Sequence, residues 1–365
     1  MRIFAFPSHG TTKRVSAVDF ARIIQPAEQL HGYKDAKVNV YDPKKDEKHS
    51  EPTEWTEIME SHDIMFFNYL NNPWAFATMG MMARKNGVKI VMDIDDALWH
   101  IHDDNPAHDT YQAGGQAIRD LTSIINEVDH ITTTNEYLKN VIINRTSKRP
   151  EDITVFPNYI DLNLYSHRSP FKDTEEIRIT HFGSTTHFKD LDTHDFFLGM
   201  DKIMKEYPTV KFRTVGAFLP KFRKAWGLRY ENYYGHEDVY TWVKHKYPQY
   251  MDDTDFFVTP LVSDIYNRCK SSIKWIEASA AGKPGIWQDI RQYREVIDGT
   301  NGLLAKNDKE WYKSIKTLIE DTKLRKKMGQ KALQDVKNNW QIQDHREDYY
   351  QFFQNILDKK EVKGS

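Results

Sequence analysis

Four polar side chains recur at intervals of three and four residues in one stretch of the chain, residues 264–289. They are Asn267, Lys270, Lys274 and Glu277. In a helix this spacing places them on one face, where two ammonium groups lie near one carboxylate. Lysines can neutralise phosphate charge, and a glutamate can accept hydrogen bonds from ribose hydroxyls. A solvated helix face with an ion pair would show the same spacing, so both interpretations stay open at this point.

The helix that must position these side chains is predicted from Tyr266 to Ala281. Gly282 follows as a left-handed C-cap, and Pro284 prevents the helix from continuing. The chain then enters a predicted buried strand, Gly285–Trp287, and another apolar strand, Asp255–Leu261, precedes the helix. The helix is therefore expected to connect two buried strands of one sheet.

A second group of ionisable side chains ends the apolar run VKIVMDIDD. Asp93, Asp95 and Asp96 would repel one another at the end of a buried strand, so water, a metal, a cation or a hydroxyl-bearing ligand should be close. The cluster is consistent with a divalent-metal site or with a carboxylate that positions an acceptor hydroxyl. A solvated loop with helix-capping aspartates is the alternative without a ligand.

The same segment, IVMDIDDALW, resembles the first motif of phosphatases of the haloacid dehalogenase type. In that family two aspartates act as nucleophile and acid. Two features argue against this interpretation. Ala97 replaces the usual Thr or Val, and two or three predicted strands precede the motif instead of following it.

Small residues follow the first predicted strand of the second half, in ITHFGSTTHFKDL. Gly183 and Ser184 lie between a strand and a helix, where backbone N–H groups can approach a phosphate. Ordinary turn chemistry would use the same residues. His187 adds a titratable group to this loop.

The polar turn SHGTTKRVS follows the first predicted strand of the chain. It places Gly10 and Arg14 at the carboxyl end of that strand, where ligands of open α/β sheets gather. Arg22, on the helix that follows, and Asn158, after the last strand of the first half, are assigned to the same side of the predicted site.

Strands alternate with helices in both halves of the chain, which predicts two doubly wound parallel sheets facing each other across a cleft. Between Leu162 and Glu176 the sequence becomes polar and loses its periodicity, as expected of an interdomain connection. We therefore predict domains at 1–165 and 166–340. Residues 341–365 are predicted to form a helix that packs back on the first domain, followed by a short disordered tail.

Composition limits the partners and the location. The 365 residues carry 51 Lys and Arg against 53 Asp and Glu, a formal charge of −2, which gives no global electrostatic case for nucleic acid or an anionic membrane. A local basic run, Pro220–Arg229, contains Trp226 and is the segment to test for DNA contact. The single cysteine and the lack of a signal sequence or a membrane-length apolar run favour a cytoplasmic protein. The sequence leaves the oligomeric state open.

Five short motifs occur in an order and spacing that resemble the GT-B glycosyltransferases of family 4, the glycosyl transferases of group 1. The resemblance covers residues 150–340, and the first half looks like the branch of this family found in phage genomes and capsule clusters. The motifs are PNYID (Pro157–Asp161), FGS (Phe182–Ser184), VTPL (Val258–Leu261), IEASAAGKP (Ile276–Pro284) and NGLL (Asn301–Leu304).

The resemblance implies a retaining transfer of a sugar from a nucleoside diphosphate sugar, with UDP favoured, and a donor bound to the second sheet. Glu277 matches the second glutamate of the family's E-x7-E motif, which holds the donor ribose, while Cys269 replaces the first glutamate. The family's diphosphate-binding arginine is missing after the strand that ends at Gly183. Lys270 and Lys274 are therefore expected to take over that charge. The donor-binding set is predicted as Gly183, Ser184, His187, Asn267, Ser271 and Glu277.

The acceptor is expected on the first sheet. There the DIDD cluster replaces a family histidine, so Asp93 or Asp95 is predicted to orient the acceptor hydroxyl or to stabilise positive charge on the sugar. These aspartates and the two lysines form the predicted catalytic set, and Gly10, Arg14, Arg22, Asp96 and Asn158 the predicted acceptor-side set. The resemblance implies no required cofactor or metal, although three carboxylates leave a divalent metal open. The acceptor is expected to be a saccharide, a surface polymer or a hydroxymethylated DNA base. A phosphatase and a non-catalytic nucleotide- or glycan-binding module are the alternatives.

Overall fold

Two six-stranded parallel sheets form the frame of the protein. We describe them from a computed structural model that covers residues 1–7, 16–41, 52–69, 72–165, 175–183, 187–233 and 246–358. The strand order is β2-β1-β3-β4-β5-β6 in the first sheet and β12-β11-β10-β7-β8-β9 in the second. This architecture confirms the predicted GT-B arrangement of two doubly wound domains.

The first sheet contains β1 (Arg2–Phe6), β2 (Lys37–Val40), β3 (Ile64–Asn68), β4 (Lys89–Ile94), β5 (His130–Thr133) and β6 (Ile153–Val155). All five residues of β3 are buried, because helices cover both faces of a parallel sheet. The strand order reverses between β1 and β3, which is where such sheets bind ligands.

The second sheet contains β7 (Ile177–Gly183), β8 (Val210–Gly216), β9 (Tyr230–Tyr233), β10 (Phe256–Thr259), β11 (Gly285–Gln288) and β12 (Leu303–Ala305). Its order reverses between β7 and β10. Gly183 is the last residue of β7, and the segment after β10 leads to α11 and Lys270.

The described helices of the first half are α1 (Ala17–Asp19), α2 (Gln25–Leu30), α3 (Pro52–Ser61), α4 (Pro73–Lys85), α5 (Gln116–Glu127) and α6 (Glu136–Arg145). A π-helical turn, Phe20–Ile24, connects α1 to α2. The helical pattern of the sequence from Ala17 to Leu30 predicts one continuous helix and does not indicate this turn. Short 3₁₀ turns lie at Leu98–His100 and Pro150–Asp152.

The described helices of the second half are α7 (Phe188–Leu191), α8 (His194–Glu206), α9 (Pro220–Trp226), α10 (Tyr247–Asp252), α11 (Ile265–Arg268), α12 (Ile273–Ala280), α13 (Arg291–Arg294), α14 (Asp308–Glu320), α15 (Thr322–Asn339) and α16 (Arg346–Asp358). Further 3₁₀ turns lie at Gly227–Arg229 and Ile342–His345. The amphipathic pattern around Val239–Lys246 predicts a further helix, and this segment falls almost entirely outside the described residues.

The predicted single helix from Tyr266 to Ala281 is wrong, because the chain forms two helices, α11 and α12, with a break between them. The carbonyl oxygen of Cys269, which a continuous helix would use internally, accepts a hydrogen bond from Nδ2 of Asn135 at 2.6 Å. A contact with the other domain therefore overrides the local helical preference. The predicted end of the helix is right, since Gly282 has a φ of +71°.

Helix α16 packs on the first sheet although it ends the described chain. Tyr349 stacks on Phe156 with ring centroids 4.2 Å apart, and Phe353 lies edge-on to Phe66 at 5.3 Å. The bridge between Ile160 and Gln341 marks where the chain returns to the first half. The predicted domain boundaries themselves stay a prediction.

No helix in the described part of the chain is both long and apolar enough to cross a membrane. The cytoplasmic location stays a prediction.

Helix α15 approaches the end of α12 through a glycine, and this close approach can be tested. A Cβ atom at Gly329 would collide with the carbonyl oxygen of Gly282. We expect Gly329→Ala to lower the free energy of unfolding by about 1–3 kcal/mol, measured by urea denaturation. Gly80→Ala in α4 is the matched control, because its new Cβ would meet Phe76 only at 3.8 Å. Equal stabilities of the two variants would contradict this packing.

Candidate functional site

A cavity of about 470 Å³ lies between the two sheets, and residues from both halves of the chain line it. Its walls include residues that follow β3, β4, β5, β6, β7 and β10, so it occupies the carboxyl ends of both sheets. The polar lining residues are Arg22, Gln25, Asp95, Asp96, Asn105, Thr134 and Asn158 from the first half, and His187, Lys270, Ser271, Lys274 and Glu277 from the second.

A buried ion pair borders the cavity, which Arg22 lines and Asp93 does not reach. Nε and Nη2 of Arg22, in the π-helical turn, donate to the two carboxylate oxygens of Asp93 at 3.0 and 2.8 Å. Nη1 of Arg22 donates to the Phe156 carbonyl at 2.7 Å and to Oδ1 of Asn158 at 2.9 Å. Burial alone would lower the pKa of Arg22, but the negative charge of Asp93 and its hydrogen bonds raise it. The guanidinium therefore stays charged and holds three elements together.

Asp93 has no exposed surface, and its Oδ2 also accepts from Oγ1 of Thr132 at 2.6 Å. This corrects the expectation that Asp93 orients an acceptor hydroxyl, since its oxygens are already bonded to Arg22 and Thr132. The same geometry argues against the phosphatase alternative, whose nucleophile would be this aspartate. Asp93 therefore has a positioning role and no direct contact with the cavity.

Asp96 joins the two halves at the cavity wall. Its carboxylate accepts from Nζ of Lys270 at 3.2 Å and from the Tyr266 hydroxyl at 3.1 Å. Burial lowers the pKa of Lys270, but Asp96, Tyr266, Asp190 and Asp95 together raise it above its usual value. Lys270 is consequently a fixed cation at the boundary between the domains. Asp95 also lines the cavity.

Lys274 and Glu277 lie one helical turn apart on α12. Nζ of Lys274 donates to the carbonyl of Phe182 at 2.8 Å. Burial, together with the nearby charge of Lys270, lowers the pKa of Lys274 to about 8. Burial raises the pKa of Glu277 to about 7, against the opposing effects of Lys274 and of a hydrogen bond with Tyr165. Two groups with shifted pKa values in one cavity are typical of a ligand site.

His187 is held by a buried carboxylate. Its Nδ1 lies 2.8 Å from Oδ2 of Asp190, and Oδ1 of Asp190 accepts from Nδ2 of Asn267 at 2.7 Å. Burial and the charges of Lys274 and Lys270 keep the pKa of His187 well below its usual value. A neutral imidazole therefore faces the cavity, and Asn267 supports it from behind. Asn267 has no exposed surface.

Gly183 leaves room for the rings of His181 and His187. A Cβ atom there would lie 2.5 Å from Nε2 of His181 and 3.1 Å from Cδ2 of His187. Packing therefore also requires a glycine at this position, where the sequence predicted that the backbone approaches a phosphate.

Ser271 connects the break between α11 and α12 to the first domain. Its Oγ accepts a hydrogen bond from Nδ2 of Asn158 at 2.7 Å. Since Asn158 also accepts from Arg22, the buried ion pair continues into the second domain through these two residues. The structure thus brings together Arg22, Asn158, Ser271 and Lys270. Gly10, Arg14 and Ser184, which were also predicted for the site, lie outside the described residues.

Sequence reasoning missed Asp190, Tyr165, Tyr266 and Asn105, all of which contact or line the site. A signal existed for Asp190, since His187 precedes it by three residues at the start of a helix. Tyr165 lies in the segment interpreted as a linker, where periodicity gives no signal. The Trp226 side chain, in the basic run proposed for DNA contact, is buried and donates to Asp201 at 3.1 Å. It is therefore unavailable for base stacking.

Within the described ranges, no group of three or more His, Cys, Asp or Glu side chains could hold a metal ion. In the DIDD cluster, Arg22 binds Asp93 and Lys270 binds Asp96. Two of the three carboxylates are therefore paired with protein cations, and a metal requirement stays untested.

The fold is shared with known glycosyltransferases. HepE from Anabaena, solved in complex with UDP-glucose, is 16% identical over 97% of this chain and 100% of its own, with a TM-score of 0.68. Sucrose-phosphate synthase from Thermosynechococcus elongatus is 12% identical over 99% of this chain and 100% of its own, with a TM-score of 0.67. A glycosyltransferase from Rickettsia africae is 12% identical over 99% of both chains, with a TM-score of 0.64. A comparison with curated protein sequences finds no match.

The chain has the two-domain GT-B fold, with the cavity between its two sheets. Residues 176–321 match the family described as glycosyl transferases group 1. This match over part of the second half confirms the predicted resemblance to the glycosyl transferases of group 1. The phage and capsule branch stays a prediction.

The contribution of the buried Arg22–Asp93 ion pair to stability can be tested directly. Asp93→Asn should lower the free energy of unfolding by about 3–5 kcal/mol, because it leaves the Arg22 guanidinium buried without its counter-charge. Glu127→Gln is the matched control. It breaks an ion pair to Arg84 in which both side chains are about half exposed, so it should cost less than about 1 kcal/mol. Urea denaturation measures the free energy of unfolding of both variants. Similar losses of stability would show that burial does not make the Arg22–Asp93 pair more important than the exposed Arg84–Glu127 pair.

Proposed function

We propose that the protein transfers a sugar from a nucleoside diphosphate sugar, with UDP as the favoured nucleotide, to an acceptor hydroxyl with retention of anomeric configuration. The observation that supports this most strongly is the convergence of Lys270, Lys274, Glu277 and His187 on one cavity between the sheets. The second-half side of the cavity, with two cations and one carboxylate, suits a ligand that carries both phosphates and ribose hydroxyls. The UDP-glucose complex of HepE favours UDP over other nucleotides.

In this proposal the donor lies along α12. Glu277 accepts hydrogen bonds from the ribose, and Lys274, one turn earlier, meets the diphosphate. Lys270 approaches the diphosphate from the domain boundary, with Asp96 beyond it. Bringing two negative phosphates next to Lys274 would raise its pKa from about 8, so the lysine is fully charged in the complex.

The transfer step exchanges one bond at the anomeric carbon. The acceptor oxygen forms a bond to that carbon as the bond to the β-phosphate oxygen breaks, and the diphosphate leaves with the electron pair. The hydroxyl proton passes to an oxygen of the departing diphosphate. Lys270 and Lys274 stabilise the charge that develops on the diphosphate, each by about 3 kcal/mol if well placed. Asp95, on the opposite wall, is proposed to orient the acceptor hydroxyl.

Nucleotide binding tests the donor site. In a thermal-shift panel of UDP, GDP, ADP, TDP and inorganic pyrophosphate, UDP should stabilise the protein most, by about 2.7 kcal/mol at a hundredfold excess over its Kd. Glu277→Ala should weaken UDP binding by at least about tenfold and leave pyrophosphate binding almost unchanged, because only the ribose contact is removed.

Glu295→Ala is the control, because Glu295 pairs with Arg291 on the following short helix and does not line the cavity. Its UDP affinity should equal that of the wild type. The donor site would be misassigned if no nucleotide shifted the unfolding temperature, or if Glu277→Ala bound UDP like the wild type.

The lowered pKa of Lys274 predicts how UDP binding depends on pH. Below its pKa of about 8 the lysine already carries the charge that the diphosphate needs. Above that pH the free protein must take up a proton to bind, so affinity should fall by up to about tenfold per unit between pH 8 and 9. Isothermal titration calorimetry in buffers of different ionisation enthalpy would measure both the affinity and the proton uptake.

Lys274→Arg distinguishes the contribution of Lys274 to this pH dependence from that of other titrating groups. A guanidinium stays protonated throughout this range, so the variant should lose the alkaline decline even if its affinity is lower. The same decline in both proteins would exclude Lys274 as its source.

A further inference from the structure

One buried carboxylate links the segments that follow β7 and β10, where the strand order of the second sheet reverses. Asp190, in α7, is 3% exposed. Its Oδ1 accepts hydrogen bonds from the backbone N–H of Val262 at 2.9 Å and from Nδ2 of Asn267 at 2.7 Å. Burial raises the pKa of the Asp190 carboxyl, but these N–H groups and the charge of Lys270 oppose this effect. The carboxylate therefore stays charged at neutral pH, at the point where such sheets bind ligands.

The second oxygen of Asp190 faces the ring of His187. Oδ2 of Asp190 lies 2.8 Å from Nδ1 of His187. Burial and the charges of Lys274 and Lys270 keep this imidazole neutral, so it carries one ring proton. That proton belongs on Nδ1, because a proton on Nε2 would leave the lone pair of Nδ1 facing the negatively charged oxygen. Asp190 therefore fixes the tautomer of His187 and leaves Nε2 unprotonated.

Nε2 of His187 belongs to the edge of the ring that is left for the cavity. Nδ1 faces Asp190, and Cδ2 faces Gly183, where a Cβ atom would lie 3.1 Å away. The His187 side chain lines the cavity with 8% of its surface exposed, and no described residue forms a hydrogen bond with Nε2. Nε2 of the neighbouring His181, by contrast, is enclosed. Of these two histidines, His187 is therefore the one that can meet a ligand.

The group behind Asp190 holds this arrangement in place. Nδ2 of Asn267 also donates to the carbonyl of Val262 at 3.0 Å, and the carbonyl of Asn267 accepts from Nε2 of Gln292 at 2.8 Å. Asn267 has no exposed surface. Because these bonds fix Asp190, the imidazole cannot turn to present Nδ1 instead. His187 is consequently a preorganised hydrogen-bond acceptor on the donor side of the cavity.

This acceptor differs from the charged side chains around it. Lys270 and Lys274 have only hydrogen-bond donors, and the phosphate oxygens of a nucleoside diphosphate sugar have only acceptors. The diphosphate therefore bonds to the lysines, whereas the lone pair of Nε2 repels it. A sugar hydroxyl can donate to Nε2, so the nitrogen favours the sugar part of the donor.

We propose that His187 determines which donor sugar the protein uses, by accepting at Nε2 a hydrogen bond from one hydroxyl of the transferred sugar. Asp190 is the positioning residue that keeps this nitrogen unprotonated. The inference rests on the proposed function, because it assigns a contact within the nucleoside diphosphate sugar that this function requires. A sugar without a hydrogen-bond donor at that position is bound more weakly.

The tautomer can be measured without a ligand. Nuclear magnetic resonance of protein isotope-labelled at the histidine ring nitrogens distinguishes protonated from unprotonated nitrogens, and loss of signals in His187→Gln identifies those of His187. At neutral pH, Nδ1 should carry the proton and Nε2 should not. Asp190→Asn should reverse this pattern. Its amide oxygen stays on the N–H groups of Val262 and Asn267, so its NH₂ group faces Nδ1 and donates to it.

Asp192→Asn is the matched control for this measurement. Asp192 directly follows the same short helix, is half exposed, and pairs with Lys221 at 2.7 Å. The variant removes the same charge close to the ring and should leave the protonation pattern of His187 unchanged. Reversal should therefore occur in Asp190→Asn and be absent from Asp192→Asn.

Fluorinated donors test the contact with the sugar. UDP-glucose, UDP-galactose and UDP-N-acetylglucosamine are compared first, and the tightest binder is then compared with analogues in which fluorine replaces one hydroxyl at a time. Fluorine cannot donate a hydrogen bond. The wild type should therefore bind the analogue changed at the position bonded to Nε2 about tenfold more weakly than the parent sugar. Isothermal titration calorimetry without an acceptor measures both dissociation constants.

The variants show whether this loss is due to His187. In His187→Ala the same analogue and its parent should bind within about twofold of each other, because the partner of the hydroxyl is gone. The loss should also shrink in Asp190→Asn, where a protonated Nε2 faces the fluorine, and stay about tenfold in Asp192→Asn. A ratio of dissociation constants does not depend on how much of a variant folds.

The outcomes separate this inference from the proposed function. If neither UDP nor any of the UDP-sugars binds, the proposed function fails and the inference fails with it. If the sugars bind but Nε2 of His187 carries the proton in the free wild type, or if every fluorine substitution has the same effect in His187→Ala as in the wild type, the inference is overturned and the donor assignment stands. If UDP alone protonates both ring nitrogens, His187 contacts the diphosphate, which also overturns the inference.

Discussion

The buried pair between Arg22 and Asp93 is the interaction on which the geometry of the site depends. Taking both charges out of water is costly, and this cost is recovered only if every oxygen and N–H finds a partner. Each guanidinium nitrogen of Arg22 has a partner, because Arg22 bonds Asp93, the Phe156 carbonyl and Asn158 at once. The ends of β4 and β6 and the π-helical turn are therefore fixed relative to one another. Asn158 extends this arrangement to Ser271 in the second domain. A pair that contributes little net stability can still determine where the cavity walls lie.

The boundary between the domains has two parts. It is polar next to the charged residues of the cavity, and it is apolar around Cys269. Lys270 and the Tyr266 hydroxyl share the Asp96 carboxylate, while Cys269 is fully buried beside the core of the first domain. The break between α11 and α12 allows both arrangements, because it frees the Cys269 carbonyl for Asn135 and turns Lys270 towards Asp96. A continuous helix would keep that carbonyl in its own hydrogen-bond ladder.

The fold could be predicted from sequence because it follows from alternating apolar strands and amphipathic helices, which are local patterns. The charged face of residues 270–277 could be predicted for the same reason, since Lys274 and Glu277 lie on one helix. Asp93 could not be assigned correctly, because its partner, Arg22, is 71 residues away and no local pattern links them. The break at Cys269 was missed for the same reason. Its cause is an asparagine 134 residues earlier in the chain.

The position of Cys269 also bears on how a donor sugar would be recognised. The thiol is buried among apolar side chains, and burial raises its pKa to about 12, so it stays neutral. A glutamate, which the resemblance places at this position, would have to be buried as a charge in the same environment. A cysteine in place of that glutamate therefore allows this segment to pack against the first domain without burying a charge. If the donor binds along α12, its sugar hydroxyls must be contacted by groups that do face the cavity. Such groups are His187, which is buried and neutral, and the pair of Lys270 and Asp96, which joins the two halves of the chain.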